Sequence, residues 1–281
     1  MSLQTPIMEI DEVLLLLVIS SQEIERANLA RQTLENLKKL LGEISIDLLV
    51  FDNGSKIKNY KKSFPKNAKL VESPNNLGYW SAIYWVLNQK SIIKRYIYII
   101  ESDLIHLSLQ ELKEIKRFLD ENPEINCVRT QEFSVRLKWK FNKKLKFLPF
   151  HNTRSEISLR NIATGRKARF KRVDGFKGIY KSNLHPKLPA FHRWESLRIQ
   201  FEKLREMKNF SEADYFKIAT KESSYIGIHD PGLYYSLSTR ENASKIPAAS
   251  YLEKSDSDGN YKSTREGTIL LYPEEDIVIS R

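Results

Sequence analysis

The run Ile97-Tyr98-Ile99-Ile100 ends abruptly in Glu101-Ser102-Asp103, two carboxylates one residue apart. So short a run of β-branched and aromatic residues reads as a buried strand, which sets Glu101 and Asp103 at its carboxyl end. In open α/β sheets that is the end where ligands bind. Paired carboxylates there suit a hard divalent cation, because Mg²⁺ and Mn²⁺ accept one or two carboxylates and keep positions for substrate phosphates. The pair points to phosphate chemistry.

The residues before this pair alternate strand and helix signals. Val13 to Ser20 reads as a strand, and Glu25 to Leu41 carries Leu29, Thr33, Leu34, Leu37, Leu40 and Leu41 at amphipathic-helix spacing. Ile46 to Phe51 is the next strand, broken by Asp52-Asn53-Gly54-Ser55. Lys69 to Glu72 is a third, followed by the loop Ser73-Pro74-Asn75-Asn76-Leu77-Gly78 and a helix from Tyr79 to Gln89. Tyr96 to Glu101 closes the set. Such a succession implies parallel strands joined by crossovers, which brings Ser20, Asp52, the Asn75 loop and Asp103 to one edge of the sheet.

Beyond the pair, Ser108-Leu109-Gln110-Glu111 has the form of a capping box, opening a helix with Leu112, Ile115, Phe118 and Leu119 on one face and stopped by Pro123. Ile125 to Thr130 reads as a strand. Phe133 to Phe147 alternates as a hairpin, with Trp139 and Phe141 on the apolar side. Ala168 to Tyr180 is a further strand and loop, and helices are expected over Trp194–Met207 and Ser211–Thr220. A late strand is expected over Thr268–Tyr272, and disorder around Ser255–Lys262. Asp256-Ser257-Asp258-Gly259-Asn260 imitates an EF-hand start, but its glycine falls at loop position four and Gly267 occupies position twelve, so calcium binding is rejected.

Composition narrows the partners. At 281 residues and 41% apolar content the chain can bury a substantial core. Cys127 is alone, which excludes an internal disulfide and a cysteine zinc site and favours a reducing compartment. No secretory signal precedes Val13, and Val13 to Ile19 is too short to span a membrane, so a cytoplasmic protein is expected. A net charge of +11 favours anionic partners: a nucleotide diphosphate, an anionic glycan, a lipid headgroup or a nucleic acid.

The order of these motifs resembles the glycosyltransferase A (GT-A) fold, and most closely the family 2 type of nucleotide-sugar transferase. The likeness rests on Ser20-Ser21, Phe51-Asp52-Asn53-Gly54-Ser55, Asn75-Asn76-Leu77-Gly78-Tyr79-Trp80-Ser81-Ala82 and Ile100-Glu101-Ser102-Asp103, with Asn209-Phe210-Ser211-Glu212-Ala213-Asp214-Tyr215-Phe216 matching the segment that carries the family's catalytic base. The resemblance implies an α/β fold with a mixed, mostly parallel sheet flanked by helices and a Rossmann-like N-terminal half. Residues 1–107 would be the nucleotide-sugar-binding half of a single domain, 108–235 the acceptor-binding and catalytic half, and 236–281 a partly irregular extension.

The same resemblance assigns nucleotide contacts to Ser20, Asp52, Asn76 and Gly78, with Asp52 on the base or ribose, and metal ligation by Mn²⁺ or Mg²⁺ to Asp103, Glu101 and His229. Asp52 also suits an Asx-turn, Trp80 serves equally as core, and a lone histidine such as His229, one of five, is more often an ordinary surface or hydrogen-bonded residue. Asp214 and Glu212 are the candidate catalytic bases, Asp214 the preferred one. The implied activity is metal-dependent, inverting transfer of a sugar from a nucleotide-sugar donor to the hydroxyl of a glycan, lipid-linked or protein acceptor, with peripheral contact at an anionic inner membrane face compatible with the charge. The alternative is an inactive GT-A-like protein that binds nucleic acid or an anionic membrane through basic segments such as Arg136–Lys146 and Arg166–Arg172. A nucleotidyltransferase would need a glycine-rich basic loop after Ser20, and none is present.

Overall fold

A computed structural model describes residues 8–130, 156–160, 167–184, 186, 190–207, 210–223, 225–229, 232–237, 266–267 and 278–280. The hairpin expected over 133–147, the late strand over 268–272 and the irregular segment over 255–262 lie outside the described residues. The elements are β1 (Met8–Ile19), α1 (Ile24–Leu40), β2 (Ile44–Asn53), β3 (Lys69–Ser73), α2 (Tyr79–Leu87), β4 (Tyr96–Glu101), β5 (Leu104–His106), α3 (Leu112–Glu121) and β6 (Cys127–Arg129). They continue as β7 (Glu156–Arg160), β8 (Lys167–Arg172), β9 (Ile179–Ser182), β10 (Phe191–Arg193), α4 (Trp194–Arg205), β11 (Phe210–Ser211), α5 (Glu212–Glu222), β12 (Ile226–His229), β13 (Tyr234–Ser236), β14 (Glu266–Gly267) and β15 (Val278–Ser280).

The fold is α/β. Among the described residues a mixed, mostly parallel sheet runs in the order β15-β3-β2-β1-β4-β10-β6-β12-β9-β8-β7. β1 is parallel to β2 and β4, and β2 to β3. β10 then enters antiparallel between β4 and β6, so that β6 and its parallel neighbour β12 again point the same way as β4.

Both faces of the central strands are covered, which is why β1 from Val13 onward and β4 up to Ile100 are written without polar residues other than tyrosine. Leu15, Leu17 and Ile19 of β1 and Tyr96, Tyr98 and Ile100 of β4 pack with α1 and α3, while Leu14, Leu16, Val18, Ile97 and Ile99 pack with α2, α4 and α5. The nearly all-apolar α2 is explained by its second cover. Trp80 meets Phe201 at 5.5 Å, Phe210 at 5.3 Å and Tyr215 at 5.6 Å between ring centroids, so this tryptophan belongs to the core.

One local expectation is corrected. Ser108 does not open a capping box, because α3 starts at Leu112 with Glu111 at its N-cap and no side-chain cap bond. The Ser108 hydroxyl instead accepts from the Gln110 amide at 3.1 Å. The capping box occurs at α5, between Ser211 and Asp214. Register fixes the functional edge: Val18 lies opposite Glu101, Ile19 opposite Asp52, and Asn53 opposite Ser73. The carboxyl ends of β1, β2, β3 and β4 therefore open onto one rim.

Candidate functional site

The β2 end of the rim is a hydrogen-bonded knot. Asp52, expected to touch a base or ribose, is fully buried and is corrected to an anchor of the turn. Its Oδ1 accepts from the Ser55 amide at 2.9 Å, the Asx-turn geometry, while Oδ2 accepts from the Tyr60 hydroxyl at 2.5 Å and lies 3.2 Å from Lys58 Nζ. Burial first, and then the Asp52 carboxylate, hold the Tyr60 proton on far above the ordinary phenol range. Lys58 also bonds Glu72 at 2.8 Å, and that bond is the main cause raising the lysine's pKa and lowering the glutamate's.

From this knot Asn53 reaches across to the next loop. Its Nδ2 donates to Asn76 Oδ1 at 2.9 Å and its Oδ1 accepts from the Leu77 amide at 2.7 Å. Asn76, which is exposed, also accepts from the Gly78 amide at 2.8 Å and donates through Nδ2 to Ser20 Oγ at 3.2 Å. Three of the four expected nucleotide contacts, Ser20, Asn76 and Gly78, are thus brought together at the rim. Gly78 has φ +82°, and a Cβ there would meet nothing within 4 Å, so open space lies beside its backbone.

Gly54 is tighter than the sequence discloses. With φ +66°, an added Cβ would lie 2.3 Å from Asn75 C and 2.4 Å from Asn76 N, both backbone atoms. The two loops touch main chain to main chain. Gly54→Ala is expected to lower unfolding free energy by about 3 kcal/mol, combining left-handed backbone strain with the clash. Chemical denaturation of the two proteins checks this, and a change under about 1 kcal/mol would mean the loops separate easily.

At the β4 end, Glu101 is partly exposed and Asp103 sits in the turn before β5, its carbonyl accepting from the Leu237 amide at 2.8 Å. Asp103 Oδ2 lies 3.9 Å from Arg26 Nη1 of α1, and the two side chains are 13% and 15% exposed. Both carboxylates act on one neighbour. Tyr234 is held protonated by burial first, with the Glu101 and Asp103 carboxylates adding negative charge around it and Arg129 opposing them. Arg129, at the end of β6, is mostly buried, and desolvation is the main cause lowering its pKa.

His229 is not brought to this pair, which corrects its expected place among the ligands. It ends β12, three inter-strand spacings from β4, or roughly 14 Å across the sheet. It is 7% exposed, burial lowers its pKa, and Glu111 opposes that shift. Its Nδ1 and Glu111 Oε2 are both buried without a hydrogen-bond partner. Among the described residues no three His, Cys, Asp or Glu side chains group as a metal set. What stands there is two carboxylates, Glu101 and Asp103, beside Arg26, a set that would suit Mg²⁺ or Mn²⁺ with the rest of the shell supplied by phosphate oxygens and water.

The segment expected to supply a base reaches the same rim on the α2 face. Phe210 and Tyr215 pack on Trp80, which lies in the first turn of α2, just beyond the end of β3. Asp214, however, is engaged as the third helical residue of α5. Its Oδ2 accepts from Ser211 N at 2.9 Å and Ser211 Oγ at 2.8 Å, and its Oδ1 from Lys217 Nζ at 2.9 Å. The lysine bond first, and then the two serine bonds, hold its pKa well below the ordinary carboxylate range, which suits a helix cap and not a proton acceptor. Glu212, the first residue of α5, is exposed.

Arg26, Asn53, Tyr60 and Lys58 were missed by sequence reasoning. Asn53 was findable, since Asp52-Asn53-Gly54-Ser55 offers two side chains able to bridge loops. No spacing signal distinguishes Arg26 from the other charged residues of α1.

No family model matches the chain, and no curated protein sequence does. Among solved structures, it is similar to the Staphylococcus aureus protein TarS, residues 1–349, at 16% identity and TM-score 0.47, over 80% of this chain and 60% of that one. That fragment has also been solved with UDP-GlcNAc. A Pyrobaculum calidifontis mannosyltransferase in complex with GDP-Man and Mn²⁺ matches at 17% identity and TM-score 0.34, over 42% of this chain and 35% of that one. Glucosyl-3-phosphoglycerate synthase from Mycobacterium tuberculosis, with Mg²⁺ and UDP, matches at 17% and 0.33, over 42% and 43%.

Proposed function

We propose that the chain is a glycosyltransferase that moves a sugar from a nucleotide-diphosphate-sugar to an acceptor hydroxyl with the help of a divalent cation. The observation that supports it best is the shared rim: Ser20 and Asn76 joined at 3.2 Å, the open backbone at Gly78, and the Glu101–Asp103 pair beside Arg26. A donor laid along it would place its nucleoside over Ser20 and Asn76 and its diphosphate near Asp103.

Asp103 and Glu101 would hold Mg²⁺ or Mn²⁺. The bound ion supplies charge neutralisation for the diphosphate as it leaves. Glu212 would take the acceptor proton, so that the acceptor oxygen bonds the anomeric carbon while the bond from that carbon to the diphosphate oxygen breaks. One displacement of this kind inverts the anomeric centre. Asp214 would act through the helix it caps, by fixing where Glu212 stands.

Thermal denaturation with UDP, GDP, ADP and CDP, each with and without Mn²⁺, tests the reading. One of them is expected to raise Tm by several degrees only when Mn²⁺ is present, because a ligand specific to the folded state stabilises it in proportion to ln(1 + [L]/Kd). No shift with any nucleotide would remove the donor assignment.

A further inference from the structure

The acid that would hold the ion already faces a cation supplied by the chain. Arg26 is the third residue of α1, and its Nη1 stands 3.9 Å from Asp103 Oδ2. That is about 1 Å longer than a closed charge-assisted bond, whereas Lys94–Asp47 and Lys61–Glu72 close to 2.7 Å. Both partners are mostly enclosed, at 15% and 13% exposure, so water screens the pair less than it screens the surface pairs.

A guanidinium and a divalent ion cannot both dominate one carboxylate. A donor diphosphate, in turn, offers the planar fork of arginine paired oxygens that a carboxylate already bound to a divalent ion no longer offers. Resting on the donor reading above, we propose that Arg26 is a counter-ion that changes partner. In the ligand-free protein it compensates Asp103, and on donor binding it turns to the diphosphate while the divalent ion takes Asp103. Arg26 thereby guards the site against metal without nucleotide and contributes to nucleotide binding when metal is present.

The exchange makes two predictions of opposite sign for Arg26→Gln. Mn²⁺ affinity without nucleotide, measured by electron paramagnetic resonance titration, is expected to rise about tenfold, because a positive charge roughly 4 Å from the ligand oxygen is gone. Affinity for the nucleoside diphosphate that stabilises the wild type, measured calorimetrically in saturating Mn²⁺, is expected to fall about tenfold. Arg26→Lys, which keeps the charge and loses the fork, is expected to return Mn²⁺ affinity to near the wild-type value and recover only part of the nucleotide affinity.

A plain structural ion pair would lower Tm and leave both affinities unchanged, which would overturn the proposal. A loss of both affinities together would overturn it as well. Wild-type protein that binds Mn²⁺ but no nucleoside diphosphate would defeat the donor reading and the exchange with it. Nucleotide binding in the wild type with neither affinity moved in Arg26→Gln would defeat the exchange alone.

Discussion

Asp103→Asn is expected to lower sugar transfer by about a thousandfold and to abolish the Mn²⁺-dependent part of the nucleotide-induced Tm shift. The substitution keeps shape and removes one negative charge, so a loss of this size reports an electrostatic role at the leaving group, worth about 4 kcal/mol of barrier. Stability should fall as well, because the largely enclosed Arg26, 3.9 Å away, loses its counter-charge, so the nucleotide shift is read against each protein's own nucleotide-free Tm. Glu212→Gln provides the contrast. It should leave the nucleotide shift intact and remove transfer, since its proposed part is to accept a proton and not to hold the donor. Asp103→Asn protein that retains both transfer and the Mn²⁺-dependent shift would sink the central assignment.

How much of this could be read in the residues follows from which forces are local. β4 spans Tyr96 to Glu101 as its apolar run requires, and α1, β2, β3 and α2 fall within a few residues of their periodic signals, because burial on two faces writes itself directly into the sequence. Partners that arrive from elsewhere in the chain leave no such trace. Asp52 reads as a ligand-facing turn residue until Tyr60 and Lys58, from the short helical turn Asn59–Ser63 and the residue before it, close over it. Ser108 and Ser211 present nearly the same capping pattern, and only at Ser211 does the helix start at the next residue, where Asp214 can return the bond. His229 ended up far from Asp103 because β10 inserts antiparallel between β4 and β6, and strand order is not a local property.

The same burial that made the core legible predicts a strong acid sensitivity. His106 and His192 are each 2% exposed, and burial pushes the pKa of both down to about 3. His106 Nε2 pairs with the Tyr98 hydroxyl at 3.1 Å, and Thr130 Oγ1 donates to that hydroxyl at 3.0 Å, while His106 Nδ1 and His192 Nε2 have no hydrogen-bond partner. Among the described residues no carboxylate is paired with either imidazole to receive it as a cation. Unfolded, each titrates near 6.5, so below that pH the unfolded chain binds protons that the folded one refuses. Their contribution is therefore fully present above about pH 6.5 and is lost progressively as pH falls towards 3. At pH 5.5 the two together should remove about 3 kcal/mol, and at pH 4.5 about 5 kcal/mol, comparable to the whole stability of a domain. Glu72 and Asp120, whose pKa values lie below their ordinary values, lose their contribution only below about pH 4.5, so the window from 6.5 to 5 isolates the histidines. Urea denaturation across that window should show about one proton taken up on unfolding at pH 6.5, rising to about two at pH 5, with a further fraction from His229, whose pKa burial also lowers. A stability that stays flat from pH 7.5 to 5 would show that these rings accept a proton in the folded protein, and water would have to reach both buried side chains.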